Sequence, residues 1–182
     1  EKMFKDFDIS SFKKMKPPGD NTFDTMQEIK ALKKIPINKK FVKEFDNIEL
    51  AFKKTAKMEK IKDYDKNIAS KLIEASAPVI LKLKKHFNRP RPKVLAKKMN
   101  IKMNDIEMSS MKTASYPSGH SAQGMLIGLV LSNKYPKSKS AFIKTANNIS
   151  DSRNTAHAHY KSDSDIGKKL GKSMYNHIKN KI

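Results

Sequence analysis

The residues most able to do chemistry lie together between Ser152 and Asp163, where one Arg, two His and one Asp fall within twelve residues. His159 follows Arg153 by six residues and precedes Asp163 by four. A carboxylate four residues from an imidazole can orient the ring across one helical turn, which fixes its tautomer and leaves Nε2 free to attack. His157 offers a second interpretation, because His157, His159 and Asp163 also form a plausible ligand set for a divalent metal. Cations converging nearby would oppose such a metal.

Arginine is rare in this chain, which has three Arg among its 39 Lys and Arg residues. The other two, Arg89 and Arg91, lie in the turn N-R-P-R-P, directly after the basic run that contains Lys82 and Lys84. Only Arg supplies a planar fork of donors that fits a phosphate or carboxylate. The cluster therefore indicates an anion site with a Lys and an Arg held at fixed separation. It is also typical of an ordinary helix C-terminus, where the dipole favours basic residues.

A third cluster, Pro117-Ser118-Gly119-His120, precedes an apolar helical pattern. Backbone N–H groups at a helix start attract anions, and Gly119 lets a ligand approach the chain closely. Ser118 adds a hydroxyl, and His120 can act as an acid or a base near neutral pH. The same letters also occur as a plain helix cap, so this cluster alone does not indicate a function.

Composition limits the class of protein. The chain has 182 residues, 31% charged, 37% hydrophobic and no Cys, and its formal net charge is +21. The length suits one domain, and the absence of Cys excludes disulfides and thiolate metal sites. The charge favours phosphate-bearing partners, an anionic membrane surface or small anionic substrates, or it is simply a solvated surface. No apolar run approaches the roughly 18 residues of a membrane span. The first residues show no signal-peptide core, and because Glu1 is not an initiator we expect that a segment has been removed.

The elements that must position these clusters are predicted to be helices. Apolar spacing and breakers predict an all-α fold: a compact single-domain bundle over residues 21–182 around a buried central helix, after an extended N-terminal arm over residues 1–20. Arg153 falls on the inward face of its helix, so an anionic group must meet it there. The first two helices are predicted to serve packing only. The residues between 93 and 116 are predicted to form a long loop with one short helix near 104–108. The predicted helices run over about 22–34, 38–60, 64–87, 121–134 (the central one), 138–157 and, capped by Ser162 or Asp163, to about 178.

The three clusters together resemble the signature of the type 2 phosphatidic acid phosphatase superfamily. They read K-x6-R-P, P-S-G-H and S-R-x5-H-x3-D, in that order, between Lys82 and Asp163. That superfamily includes the soluble class A bacterial non-specific acid phosphatases, which the chain resembles most, and the vanadium haloperoxidases. The resemblance implies that no metal or other cofactor is needed.

The resemblance also implies a role for each matched residue. His159 would be the nucleophile that forms a phosphohistidine, Asp163 would orient it, and His120 would protonate the leaving alcohol and then activate water. The phosphoryl oxygens would be held by Lys84, Arg91, Ser118, Gly119 and Arg153.

Two features of the match leave alternatives open. The spacing K-x6-R-P fits Lys82 with Arg89 as well as Lys84 with Arg91. Family members that end in R-P-R-P place the motif on the second Arg, which favours the second pair and makes Arg89 an outer contact. His157 departs from the class A pattern, where a Gly is usual two residues before the nucleophile.

The resemblance predicts a vanadate-inhibited phosphomonoesterase acting on small phosphorylated substrates such as nucleotides or sugar phosphates, in the periplasm or outside the cell. Three other functions stay open: a lipid phosphate phosphatase at a membrane surface, a vanadate-dependent haloperoxidase, and a basic nucleic-acid-binding protein with a degenerate site. Aromatic residues, at 8% with no Trp, do not interleave with the basic runs, which disfavours nucleic acid.

Overall fold

The computed structural model describes residues 3–182, and helices alone form the regular structure of that part of the chain. The predicted all-α class and the single compact domain are confirmed. None of these helices is both long enough and apolar enough to cross a membrane. The α-helices are α1 Ser10–Lys13, α2 Phe23–Lys33, α3 Lys39–Asp46, α4 Ile48–Met58, α5 Asn67–Phe87, α6 Pro92–Lys98, α7 Gly119–Lys134, α8 Lys139–Thr155 and α9 Lys161–Ile178, with short 3₁₀ helices at Ser109–Lys112 and Pro136–Ser138.

Helix α7 is the buried centre of the bundle, as predicted. Its apolar residues lie on nearly all sides, and it packs chiefly against α8 and α9. Small residues allow this close packing. A Cβ at Gly128 would stand 2.9 Å from the Cβ of Ala146 on α8, and one at Gly167 on α9 would stand 2.7 Å from the carbonyl oxygen of Ser118. The second contact brings the start of α9 against the start of α7, where two of the predicted clusters lie.

The prediction of one helix over residues 38–60 is wrong. The chain forms α3 and α4 instead, and Asn47 separates them with an extended backbone. Its side chain accepts the N–H of Leu50 at 3.0 Å, so it caps α4 while ending α3. The break leaves Asp46 at the C-terminus of α3, with a carbonyl and a carboxylate that face other elements.

The segment between α5 and α7 also differs from its prediction. Pro92 occupies the first position of α6, where its missing N–H costs nothing. The predicted helix near 104–108 is wrong, since that stretch is irregular and a 3₁₀ turn follows it. The predicted cap of α9 is two or three residues too late: Tyr160 is the cap residue, and the carboxylate of Asp163 accepts its N–H.

The N-terminal segment, predicted as an extended arm, contains α1. Phe4 and Phe12 are buried in the main core, so the segment packs on the bundle. The first two residues of the predicted arm lie outside the described residues.

Candidate active site

Asp163 lies at the start of α9 with its carboxylate fully buried. Oδ2 accepts hydrogen bonds from His159 Nδ1 at 2.9 Å, from the N–H of Tyr160 at 3.1 Å and from the hydroxyl of Ser115. Oδ1 accepts from Arg89 at 2.9 Å. Burial raises the pKa of Asp163 to about 6, although Arg89 and the Ser115 hydroxyl act in the opposite direction. Four donors around one carboxylate favour its charged form.

His159 is held in one tautomer by its two neighbours. Arg91 Nη1 lies 2.9 Å from His159 Nε2. Because a guanidinium only donates, Nε2 must accept, and the ring proton is therefore on Nδ1, where it is donated to Asp163. Burial lowers the pKa of His159 well below 6.5, and the charges of Arg91, Lys84 and Arg153 lower it further. The ring is neutral at neutral pH, with its Nε2 lone pair directed at cations.

Lys84 and Arg91 are buried beside this ring and are held by the loop that precedes α7. Arg91 donates to the carbonyl oxygens of Ser110 and Thr113, each at 3.0 Å, and Lys84 donates to that of Ala114 at 2.7 Å. Burial first, and then Arg91, lowers the pKa of Lys84 to about 7. These backbone acceptors hold two cations next to the nucleophile candidate.

The structure separates the two possible Lys–Arg pairs. Arg91 contacts the ring of His159, and the charge of the buried Lys84 lowers the pKa of that ring. Lys82 is exposed, and Arg89 contacts Asp163 from the other side. Sequence spacing alone did not distinguish them.

Arg153 is buried on the inward face of α8, and its anionic partner is Asp46. Nη1 donates to Asp46 Oδ1 at 3.1 Å, and Nε donates to Ser152 at 3.1 Å. Nη2 is buried and has no hydrogen-bond partner among residues 3–182. A buried donor without an acceptor is costly and uncommon. This N–H is therefore a donor suited to a ligand oxygen.

His120 also contacts Asp46, through the backbone of that residue. The carbonyl oxygen of Asp46, the last residue of α3, accepts the Nε2–H of His120 at 2.7 Å. Burial first, and then Arg153, lowers the pKa of His120 to about 4, although Asp46 acts in the opposite direction. Asp46 thus contacts two predicted site residues, and the sequence prediction, which assigned its helix to packing, missed it. The sequence did contain one signal: Asp46 and Asn47 are adjacent, and such a pair can end one helix and cap the next within an apolar pattern.

Ser118 and Gly119 form the start of α7. The buried Ser118 caps the helix by accepting the N–H of Ser121 at 3.2 Å. A Cβ at Gly119 would stand 3.8 Å from Lys84 Cε, so the helix start lies beside the lysine side chain. First-turn amides have no partner within their own helix. Here they can add donors to the cluster of cations.

His157 does not join the site. Its backbone has φ 57°, a left-handed conformation that favours glycine. This conformation accounts for the Gly that the class A pattern has at the position of His157. Its ring nitrogens lie 2.9 Å from the carbonyl oxygen of Asn104 and 2.7 Å from that of Ile35. The His157, His159 and Asp163 ligand set is therefore not assembled. Within the described part of the chain, His, Asp and Glu side chains nowhere form a group of three or more placed to hold a metal.

The assembled side chains suit transfer of a phosphoryl group. A neutral imidazole can act as a nucleophile once Arg91 releases the Nε2 lone pair, and the Nδ1–H of His159 is donated to a carboxylate that can stabilise the positive charge gained on attack. Lys84, Arg91 and Arg153 can stabilise charge on phosphoryl oxygens. His120 lies on the Arg153 side, where it can exchange a proton with a leaving group.

Comparisons with known proteins place the chain among phosphatase-like sequences. A sequence model of the family described as the PAP2 superfamily matches residues 68–176. A non-specific acid phosphatase of Salmonella typhimurium is 38% identical over 88 residues, and one of Salmonella typhi is 36% identical over 88. Each match covers 48% of this chain and 35% of the relative, so it spans about a third of the curated relatives' length.

A solved structure extends the comparison to the fold. The crystal structure of a transmembrane PAP2-type phosphatidylglycerolphosphate phosphatase from Bacillus subtilis matches with a TM-score of 0.57, covering 88% of this chain and 87% of that chain. At 18% identity, the likeness is one of fold.

Proposed function

The chain belongs to the PAP2 superfamily, and we propose that it is a phosphomonoesterase that hydrolyses small phosphate monoesters through a phosphohistidine intermediate, without a metal ion. The observation that carries the proposal is the state of His159, whose Nδ1–H is donated to Asp163 while Nε2 accepts from Arg91. Similarity to proteins named non-specific acid phosphatases supports the same reaction class.

In the first step, His159 Nε2 attacks phosphorus, so that a P–N bond forms and the bond to the leaving oxygen breaks. Arg91 Nη1, which donates a hydrogen bond to His159 Nε2 in the free protein, donates to a phosphoryl oxygen instead. Arg153 Nη2 and the first amides of α7 bind the other oxygens. His120 gives its proton to the leaving alkoxide, and Asp163 stabilises the charged phosphohistidine.

In the second step, water attacks phosphorus while His120, now neutral, takes its proton. The P–N bond breaks, His159 returns to its neutral form and phosphate leaves. A bound phosphate dianion raises the pKa of His120 above its low value in the free protein, because an opposite charge favours the imidazolium. Substrate thus helps to create the acid that the first step requires.

The proposal is tested by p-nitrophenyl phosphate hydrolysis in EDTA, with a His159→Ala variant and vanadate. We expect activity in EDTA, its loss in the variant and inhibition by vanadate, which mimics five-coordinate phosphorus. His86→Ala is the matched control, because His86 is exposed on α5 and its ring packs against that of its neighbour Phe87. Full activity of the His159 variant would refute the mechanism.

A phospholipid phosphate is the second candidate substrate, favoured by the net charge of +21, which attracts anionic surfaces. Phosphatidic acid in mixed micelles, compared with p-nitrophenyl phosphate at equal concentration, separates the two. A higher kcat/KM on the lipid would make it the better substrate class.

A further inference from the structure

Arg89 is a buried cation that contacts Asp163 on the side away from the nucleophile. Its Nη1 donates to Asp163 Oδ1 at 2.9 Å and to the hydroxyl of Ser162 at 2.8 Å, whereas His159 uses Oδ2. The guanidinium carbon lies 3.6 Å from the centre of the Tyr160 ring. Arg89 is therefore engaged in holding Asp163, and the proposed mechanism gives it no contact with phosphate.

Glu28 on α2 holds Arg89 from the opposite direction. Its Oε2 accepts from Arg89 Nη2 at 3.1 Å and from the Ser162 hydroxyl at 2.8 Å. Its Oε1 accepts the N–H of Ser162 at 2.8 Å. Ser162 is in the first turn of α9, where backbone N–H groups have no acceptor within the helix. Glu28 thus fixes both structures that place Asp163: the Arg89 guanidinium and the first turn of α9.

The ion pair between Arg89 and Glu28 is largely shielded from solvent, unlike an ion pair on the surface. The Arg89 side chain is 1% exposed and that of Glu28 is 18% exposed, so the pair is weakly screened. With a separate carboxylate on each Nη, the guanidinium has one favoured orientation. Without Glu28, Arg89 loses one of the two carboxylates that orient it, so its hydrogen bond to Asp163 is less well aligned.

We propose that Glu28 is a positioning residue of the reaction: acting through Arg89 and the start of α9, it keeps Asp163 aligned on the Nδ1–H of His159. The inference rests on the proposed function. Glu28 lies outside residues 68–176, so the support of the nucleophile extends into a part of the chain that the family match does not cover.

The first test compares Glu28→Gln with Asp24→Asn, an equal charge change at an exposed position of the same helix. We expect Glu28→Gln to lower kcat about tenfold, with KM within about twofold of wild type, because alignment of the nucleophile acts on the chemical step. The acid limb of the kcat–pH profile moves to higher pH, since Arg89 lowers the pKa of Asp163 in the wild type. Asp24→Asn should leave kcat, KM and the acid limb of the kcat–pH profile unchanged.

The second test asks whether Glu28 acts through Arg89. Arg89→Lys keeps the charge but offers one ammonium group, which cannot hold both carboxylates as the guanidinium does. In that background, Glu28→Gln should cause a smaller further loss of kcat than in the wild type, because only its contacts with the first turn of α9 remain to be lost. Equal losses in both backgrounds, or a Glu28→Gln protein with lower stability but unchanged kcat and pH profile, would overturn the inference.

A readout without turnover separates this inference from the proposed function. The Nδ1 proton of His159 should give a slowly exchanging downfield ¹H resonance, assigned by its loss in His159→Gln. We expect it in the wild type and in Asp24→Asn, and we expect it to broaden in Glu28→Gln. Wild-type protein without phosphatase activity would refute the function, whereas an unchanged resonance in Glu28→Gln would refute the positioning role.

Discussion

Replacing Asp163 with Asn removes one charge from the centre of the candidate site with little change in volume. The carboxylate accepts four hydrogen bonds, including one from His159 at 2.9 Å. An Asn has one acceptor oxygen and presents N–H donors where some of these donors point. His159 then loses the group that fixes its tautomer and that stabilises the charge gained on phosphorylation.

The magnitude follows from that contact. A charged hydrogen bond contributes about 1.5–3 kcal/mol by mutation, and a full ion pair at this separation is worth about 6 kcal/mol at an effective dielectric constant near 20. Losing between about 3 and about 6 kcal/mol from the transition state corresponds to a decrease in kcat of about 10²–10⁴-fold. Stability decreases by about 2–4 kcal/mol, because Arg89 keeps Glu28 as its partner but loses Asp163.

The assay is kcat on p-nitrophenyl phosphate together with urea unfolding, at a pH where the wild type is active. Asp165→Asn is the matched control, because this side chain lies on the same helix, is 55% exposed and pairs with the exposed Lys161. A folded Asp163→Asn protein with kcat within about threefold of wild type would refute the orienting role.

Three further predictions concern the surrounding groups. First, the pKa of His120 is about 4 in the folded protein and 6.5 in its ordinary state, so between these pH values the unfolded chain binds one more proton than the folded chain. The free energy of unfolding of the wild type should therefore fall by about 2–3 kcal/mol more than that of His120→Gln as the pH falls from 7 to 4. A difference between the two proteins that stays constant with pH in urea unfolding would contradict this prediction. Second, vanadate at about 100 times its Kd for the wild type should raise the wild-type Tm by about 5–10 °C. An equal rise in Arg153→Lys at the same vanadate concentration would show that the Arg153 guanidinium does not hold the anion. Third, Lys84→Met should raise KM and lower kcat, whereas Lys82→Met, at an exposed position, should match wild type in steady-state kinetics; the reverse result would assign the motif to the other pair.

Some of the site was predictable because its geometry is local. The four-residue spacing of His159 and Asp163 anticipated a contact that a single helical start can make. The helix phase of Arg153 correctly required an anionic partner, since an unpaired guanidinium in a core is too costly. The apolar residues around α7 correctly identified the buried centre of the bundle.

The missed parts depend on contacts between distant segments. Asp46 faces the site because Asn47 divides an otherwise continuous amphipathic pattern, and an Asn at that point is also compatible with an unbroken helix. Glu28 was not recognised, because one Glu on an amphipathic helix looks like any solvated charge. The carbonyl oxygens of Ser110 and Thr113 that hold Arg91 are backbone groups, which leave no signature in the sequence.

Phosphorylation of His159 is the central claim and can be observed directly. Wild-type protein is mixed with p-nitrophenyl phosphate in EDTA, quenched in alkali, where phosphohistidine survives, and digested for mass spectrometry. We predict a phosphoryl group on the peptide that carries His159, removable by mild acid and absent from His159→Ala. Turnover with the phosphoryl group on another residue, or undiminished turnover in His159→Ala, would contradict the account.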